Sequence, residues 1–260
     1  MLIILFLLGT AIGSFLNVLI DRIPAGLPLF IDRSHCDRCK HTLSWYDLIP
    51  ILSWILLGAK CRYCKAPISI QYPVIEVITG LVFVLSYYFP IYSVSFTIIL
   101  FSLLIALFMT DLKYYLLPDK LMYPLLAMAI LALLLKNTPQ GCAAHPWGVL
   151  EGGFAMCTII NHLLSGLAAA GFFTLLIIIS RGKGMGWGDV MYGLFLGILL
   201  GHPGTIVALY IAFLTGALVS VILLVARKKK FGQIIPFGPF LVLGTVISLY
   251  YSDYIWNIFF

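Results

Sequence analysis

A chain of 260 residues with 62% hydrophobic and only 10% charged side chains is not an ordinary soluble domain, whose charged fraction is about 25%. The formal net charge of +6 would suit a nucleic-acid binder, but the placement of the basic residues argues against one. With the apolar segments taken as membrane spans and the N-terminus outside, every Lys and Arg except Lys136 falls on one side, as a cytoplasmic face requires.

The expected class is all-α: a polytopic membrane protein with about eight transmembrane helices and a small cytoplasmic zinc-binding module. Apolar segments lie near 2–20, 73–89, 92–110, 121–136, 160–180, 190–201, 204–226 and 235–255, the sixth being short for a span. The first run has no basic residues before it and no small-residue cleavage pattern after it, so it is expected to be a retained helix. The organisation expected is a first helix over 1–20, a cytoplasmic module over 21–72 and a membrane domain over 73–260.

Helix one ends in Gly13-Ser14-Phe15-Leu16-Asn17-Val18, where small residues permit close helix contact and Asn17 wants a partner inside the bundle. Residues 25–72 form the long polar stretch and hold Cys36-Asp37-Arg38-Cys39 and Cys61-Arg62-Tyr63-Cys64. Two C-x-x-C pairs, each giving two thiolates from one turn, predict a tetrahedral zinc site of Cys36, Cys39, Cys61 and Cys64. Disulfides are the competing reading, disfavoured in a reducing compartment. With four thiolates no open metal position remains, so the zinc is expected to be structural, with His35 and His41 unneeded. Trp45 to Trp54 is apolar enough to rest on the membrane surface. Glu76 enters the second helix from its cytoplasmic end, where a carboxylate either favours the helix dipole or meets a cationic ligand.

Two carboxylates stand out farther along. Asp111 closes a helix at the end where the dipole disfavours negative charge, which marks it as a functional candidate. Asp119 follows Pro118 and precedes an apolar helix, the place of an N-cap. The second functional candidate, Asp189, closes the run Arg181-Gly182-Lys183-Gly184-Met185-Gly186-Trp187-Gly188-Asp189, whose glycines are expected to form a turn. A helix cap is the simpler role for Asp189. Asp111 and Asp189 fall at the same cytoplasmic rim, and two aspartates sharing a proton around a water is aspartic-protease chemistry. The loop over 137–159 carries Cys142 and Cys157, which lie outside the cytoplasm and are free to pair; His162 is expected at the interface, and Pro236-Phe237-Gly238-Pro239 opens the last helix.

Together these residues resemble the bacterial type IV prepilin peptidases: the Gly13 to Val18 run, both C-x-x-C pairs, Tyr72-Pro73 with Glu76, Asp111 through Pro118-Asp119, Gly186-Trp187-Gly188-Asp189, and Pro236 to Pro239. The resemblance implies a G-x-G-D aspartyl protease of the bacterial inner membrane, with Asp111 and Asp189 catalytic and Gly186 and Gly188 in the catalytic loop. It implies prepilin or pseudopilin substrates cut at the end of a short basic leader on the cytoplasmic side. It also implies methylation of the new N-terminus from S-adenosylmethionine, tied to the 21–72 module, with Lys60 and Glu76 as the residues toward that cofactor. Met191, Asp37 and Ala59 depart from the family pattern without touching the acids or the cysteines. The expected partners are the pilin substrate and membrane lipid, and not nucleic acid. Two other classes compete: an ion-coupled transporter with Asp111 and Asp189 as ion ligands, and a non-enzymatic zinc-bearing assembly factor of a secretion or pilus machine. The absence of repeat symmetry between the halves speaks against the transporter.

Overall fold

The computed structural model describes residues 1–29, 34–36, 38–135, 154–182, 185–227 and 235–259. Among them every regular element is helical, and the only strand-like pairings are the isolated bridges His35–Thr42 and Lys60–Pro67. In chain order the helices are α1 (Leu2–Arg22), α2 (Leu52–Leu56), α3 (Gln71–Tyr88), α4 (Val94–Tyr114), α5 (Asp119–Leu135), α6 (Phe154–Ser180), α7 (Trp187–Leu200), α8 (Gly204–Val225) and α9 (Gly238–Phe259), with a 3-10 turn at Trp45–Leu48. Each of the eight apolar segments expected from sequence falls on one of the longer helices.

Five of these helices are long and apolar enough to cross a membrane: α1, α3, α4, α6 from Cys157, and α8. The α7 helix has 14 residues. At a rise of 1.5 Å per residue that is about 21 Å, short of a hydrocarbon core of about 30 Å. Cys142, His145 and Trp147 lie outside the described residues, as do Lys183, Gly184, Asp32 and Asp37.

The chain divides into two units, Met1–Thr110 and Asp111–Phe260. In the first, α1 lies along α3. A Cβ added to Gly9 would lie 2.7 Å from the Gly80 Cα, and one on Gly13 would lie 2.7 Å from the Glu76 Cα, so the two backbones meet at small residues. Where lipid removes the hydrophobic drive between helices, such close packing and buried polar contacts hold them together. Asn17 supplies the polar contact, its amide N–H donating to the carbonyls of Gly13 and Tyr72 at 3.2 Å each.

In the second unit α7 is the central element, packed against α5, α6, α8 and α9. Its Tyr192, Phe195 and Leu196 are fully buried, and the Tyr192 hydroxyl meets the Thr245 hydroxyl of α9 at 2.8 Å. Gly197 of α7 touches the backbone of Gly166 in α6, with no room for a side chain. His162, expected at the interface, is instead 4% exposed, with Nδ1 2.8 Å from the Ile198 carbonyl. The reason is the close α6–α7 approach, which encloses the ring beside Gly201.

Candidate active site and metal centre

The second unit brings Asp111 and Asp189 into one neighbourhood. Asp111 lies in the last turn of α4, which ends where Tyr115 takes φ +58° and its N–H donates to the Asp111 carbonyl at 2.9 Å. The chain then runs through Leu117 and Pro118 into α5. The Cβ of Leu117 lies 2.6 Å from where a Gly188 side chain would begin, and its Cδ2 lies 3.0 Å from the same point on Gly238. Leu117 thus sits between the start of α7 and the start of α9. Asp111, against Gly238, and Asp189, next to Gly188 in the chain, are both buried.

Both carboxylates are held in the same way. Asp111 Oδ2 accepts the backbone N–H of Gly238 at 2.8 Å, and Asp189 Oδ2 accepts that of Gly186 at 3.1 Å. Gly238 opens α9 and Gly186 caps α7, so each acid bonds an N–H at a helix start that the helix itself leaves unpaired. These N-termini carry positive partial charge, which favours a carboxylate there.

The local readings from sequence need three corrections. Asp189 is not an N-cap: it is the third residue of α7, and its carboxylate reaches back to the Gly186 N–H as the acid of a capping box does. The glycine turn also stops earlier than expected. Gly188 lies inside the first turn of α7, and what calls for glycine there is the contact with Leu117, not a bend. Asp119 similarly sits one place inside the expected cap. It is the first residue of α5 and is exposed, while the Pro118 carbonyl accepts the N–H groups of Leu121 and Met122. The residue that sequence reasoning missed is Gly238. The signal was present in the Pro236 to Pro239 run, but nothing in the sequence said that the Gly238 amide would meet Asp111.

In the first unit the four cysteines converge, their Sγ atoms all within 4.8 Å of one another, in a set able to hold a metal ion. The two pairs are built alike. The Cys36 N–H donates to the His41 carbonyl and the Lys40 N–H to Cys36; the Cys61 N–H donates to the Ala66 carbonyl and the Lys65 N–H to Cys61. Lys40 and Lys65 both take left-handed backbone, at φ +57° and +59°. The shared C-x-x-C-K pattern was legible in the sequence as a repeat. Donation from the Cys39 backbone N–H leads a group of bonds that hold the Cys36 thiol down to about 6. At Cys64 the Ala66 N–H lowers the thiol pKa, but desolvation and the other thiols raise it by more, to about 11. His41 stacks on Tyr63 at 3.7 Å between ring centroids and stands outside the thiol set.

Asp47 joins the second knuckle to the 3-10 turn. Its carboxylate accepts from Arg62 Nε at 2.8 Å and from the Ser44 N–H at 3.3 Å. Asp21 accepts from the Tyr72 hydroxyl at 3.0 Å. Glu76 is buried, its Oε2 accepting the Ile51 N–H at 2.7 Å, with a further bond from Ser14. Ile51 has φ +61° and ψ −52°, and the Leu52 N–H turns back to the Pro50 carbonyl, which makes a tight γ-turn. A β-branched residue is strained there and persists only where its surroundings over-determine it. Glu76→Ala removes that hold and leaves the amide unpaired, so a loss of about 1–3 kcal/mol is expected, with Glu76→Gln losing less. Thermal unfolding together with limited proteolysis across 45–57 measures it; an unchanged cleavage pattern in the Ala variant would rule out the latch. Lys60 is exposed, and its backbone pairs with Pro67.

The fold and these two sites describe a multi-pass helical membrane protein with a cysteine cluster able to hold a metal ion and a pair of buried aspartates. Residues 7–89 match the bacterial peptidase A24 N-terminal domain, and residues 98–221 match the type IV leader peptidase family. The chain is 31% identical over 278 residues to the prepilin leader peptidase/N-methyltransferase of Aeromonas hydrophila, covering 96% of this chain and 90% of that one. The protein of the same name from Bacillus subtilis is 32% identical over 257 residues, covering 97% and 95%. That from Myxococcus xanthus is 34% identical over 233 residues, but the match takes in only 64% of its length. The chain belongs to the type IV leader peptidase family. No solved structure matches it.

Proposed function

We propose that this protein is a prepilin leader peptidase of the bacterial inner membrane, with Asp111 and Asp189 as its catalytic pair. The observation that carries this is the matched anchoring of the two acids by Gly238 and Gly186 beside Leu117. With both Oδ2 atoms occupied, both Oδ1 atoms are left for one water. One carboxylate takes a proton from that water as it attacks the scissile carbonyl, and the other, protonated, donates to the carbonyl oxygen. The acid that took the water's proton then gives it to the leaving amine as the C–N bond breaks. Burial excludes bulk water and strengthens each of these interactions.

The substrate is an apolar helix with a short basic leader, so its scissile bond comes to the cytoplasmic rim where the acids lie. Eight spans, an outside N-terminus and a cytoplasmic active site complete the reading. The transporter and assembly-factor readings require the two acids to be ion ligands or caps. Asp111→Asn and Asp189→Asn separate these readings from the peptidase, because Asn keeps a capping contact and cannot move the proton. Asp21 and Asp47, two acids available to a basic leader, are engaged by Tyr72 and Arg62.

The metal is zinc, held by Cys36, Cys39, Cys61 and Cys64. Tetrahedral Zn–S bonds of about 2.3 Å put the sulfurs about 3.8 Å apart. Cys36 and Cys64 are 3.8 Å apart. The zinc ties together a module too small to have its own core. Elemental analysis is expected to find one zinc per chain and to lose it in a Cys36→Ser, Cys61→Ser double variant; equal metal in both would refute the site. Acidification is expected to release metal, because protons then compete for the thiolates.

N-methylation of the new N-terminus completes the activity, with S-adenosylmethionine supplying the methyl group when bound. The 21–72 module is the region assigned to it, with Lys60 and Glu76 toward the cofactor. Close by in sequence, Asn17 Oδ1 and Gln71 Nε2 are buried without a partner, an acceptor and a donor of the kind that a nucleoside satisfies. Purified full-length protein with a prepilin-type peptide, followed by mass spectrometry with and without S-adenosylmethionine, tests both halves. An intact leader after incubation with folded, zinc-loaded protein would overturn the peptidase.

A further inference from the structure

The first unit contains a groove of about 360 Å³ with no polar atom on its surface. One wall is Ile51, Trp54 and Ile55, the γ-turn and α2; the other is Ile70, Val74 and Ile78 along the first turns of α3, with Val77 also lining it. The Trp54 Nε1–H donates to the Ile68 carbonyl at 3.3 Å, so the one polar atom of its ring is satisfied by the protein and the ring itself is free to line an apolar space.

The α3 wall indicates what fills the groove. Val74 and Ile78 are exposed, and the same helix continues with exposed Leu81 and Leu85. Because α3 is long and apolar enough to cross a membrane, this exposed stripe is suited to face lipid, and the groove is the stripe's end beside α2. On the opposite wall Ile55 is 59% exposed, and beside it Leu52 and Leu56 are 50% and 75% exposed. Apolar surface this continuous between a short surface helix and a candidate span marks a place where a membrane or another apolar surface covers it. From Ile70 to Ile78 the helix rises about 12 Å, enough for a stretch of one acyl chain. A nucleotide, a peptide backbone or a basic leader would each meet no hydrogen-bond partner there.

We infer that the groove between α2 and α3 binds one acyl chain of a membrane phospholipid, and that this chain holds the zinc module against the bilayer. The inference does not depend on which residues cleave the leader. The γ-turn places Ile51 in the groove wall, so the Glu76 latch and the lipid act on the same segment.

Two single-tryptophan forms of the full chain test it, one keeping Trp54 and the other Trp256, in vesicles of phosphatidylcholine with or without bromine on the acyl chains. Brominated lipid is expected to quench Trp54 at least about twofold, as for a ring touching hydrocarbon near the headgroup. Val77→Phe, which fills the groove, is expected to relieve that quenching and leave Trp256 unchanged. Ile55→Gln, at an exposed position that should not disturb folding, is expected to relieve it too. Native mass spectrometry of the detergent-purified protein is expected to show one phospholipid retained and lost in Ile55→Gln, with zinc content unchanged. Trp54 left unquenched, or quenched equally with the groove filled, would overturn the inference. So would relief of quenching by a stoichiometric apolar prepilin peptide, which would assign the groove to a protein segment.

Discussion

Asp111→Asn and Asp189→Asn are each expected to abolish leader cleavage, by roughly 10²–10⁴-fold or more, in protein that stays folded and inserted. The structure separates these two effects. Each acid is anchored through a single oxygen, Asp111 to the Gly238 N–H and Asp189 to the Gly186 N–H. The amide oxygen of Asn can accept the same bond, so the start of α7 and that of α9 keep their partners. What Asn cannot do is take up or release the proton that the reaction moves. The two acids act on one water, so the double variant should be no worse than either single one, as for residues that work as a unit. Cleavage rates for the four proteins, with thermal unfolding to confirm folding, make the comparison. If the two single variants retain partial activities whose losses multiply, the acids act independently and the shared-water reading fails.

Gly238→Ala should be nearly as damaging, although the residue carries no chemistry. A Cβ there would lie 2.6 Å from Asp111 Oδ2 and 3.0 Å from Leu117 Cδ2, with Asp111 buried and Leu117 half-buried. The carboxylate must move or the N–H must withdraw. Either displaces the acid by a fraction of an ångström to an ångström, and a misplacement of about 1 Å can cost about 10²-fold in rate. The loss should fall on kcat, with KM little changed, because the residue orients an acid and does not bind the leader. Gly171→Ala is the control, since nothing lies within 4 Å of its Cβ position and the backbone there is helical. Wild-type kcat in Gly238→Ala would mean that Asp111 tolerates a different anchor.

Composition and charge placement were enough to recognise a multi-pass helical membrane protein, because a bilayer demands long apolar runs and leaves little choice of backbone structure. The paired cysteines were equally legible. A C-x-x-C turn is a local device, and metal ligation depends on thiolate spacing within it. Asp111 also stood out locally, as a negative charge at the wrong end of a helix. Other features depended on parts of the chain far apart in sequence. The partner of Asp111 is the amide of Gly238, more than a hundred residues away, and no local periodicity links them. The need for glycine at 188 came from Leu117 and not from a bend, so reading the run as a turn assigned the right residue the wrong reason. Glu76 looked like a helix-dipole or ligand carboxylate, and the bond that one of its oxygens makes to the strained amide of Ile51, twenty-five residues earlier, was not legible. Sequence determined which groups were costly to bury in a membrane, because that cost belongs to each residue alone. Tertiary structure decided how each cost was met, because a buried carboxylate is satisfied by whichever N–H the packing of other helices brings to it.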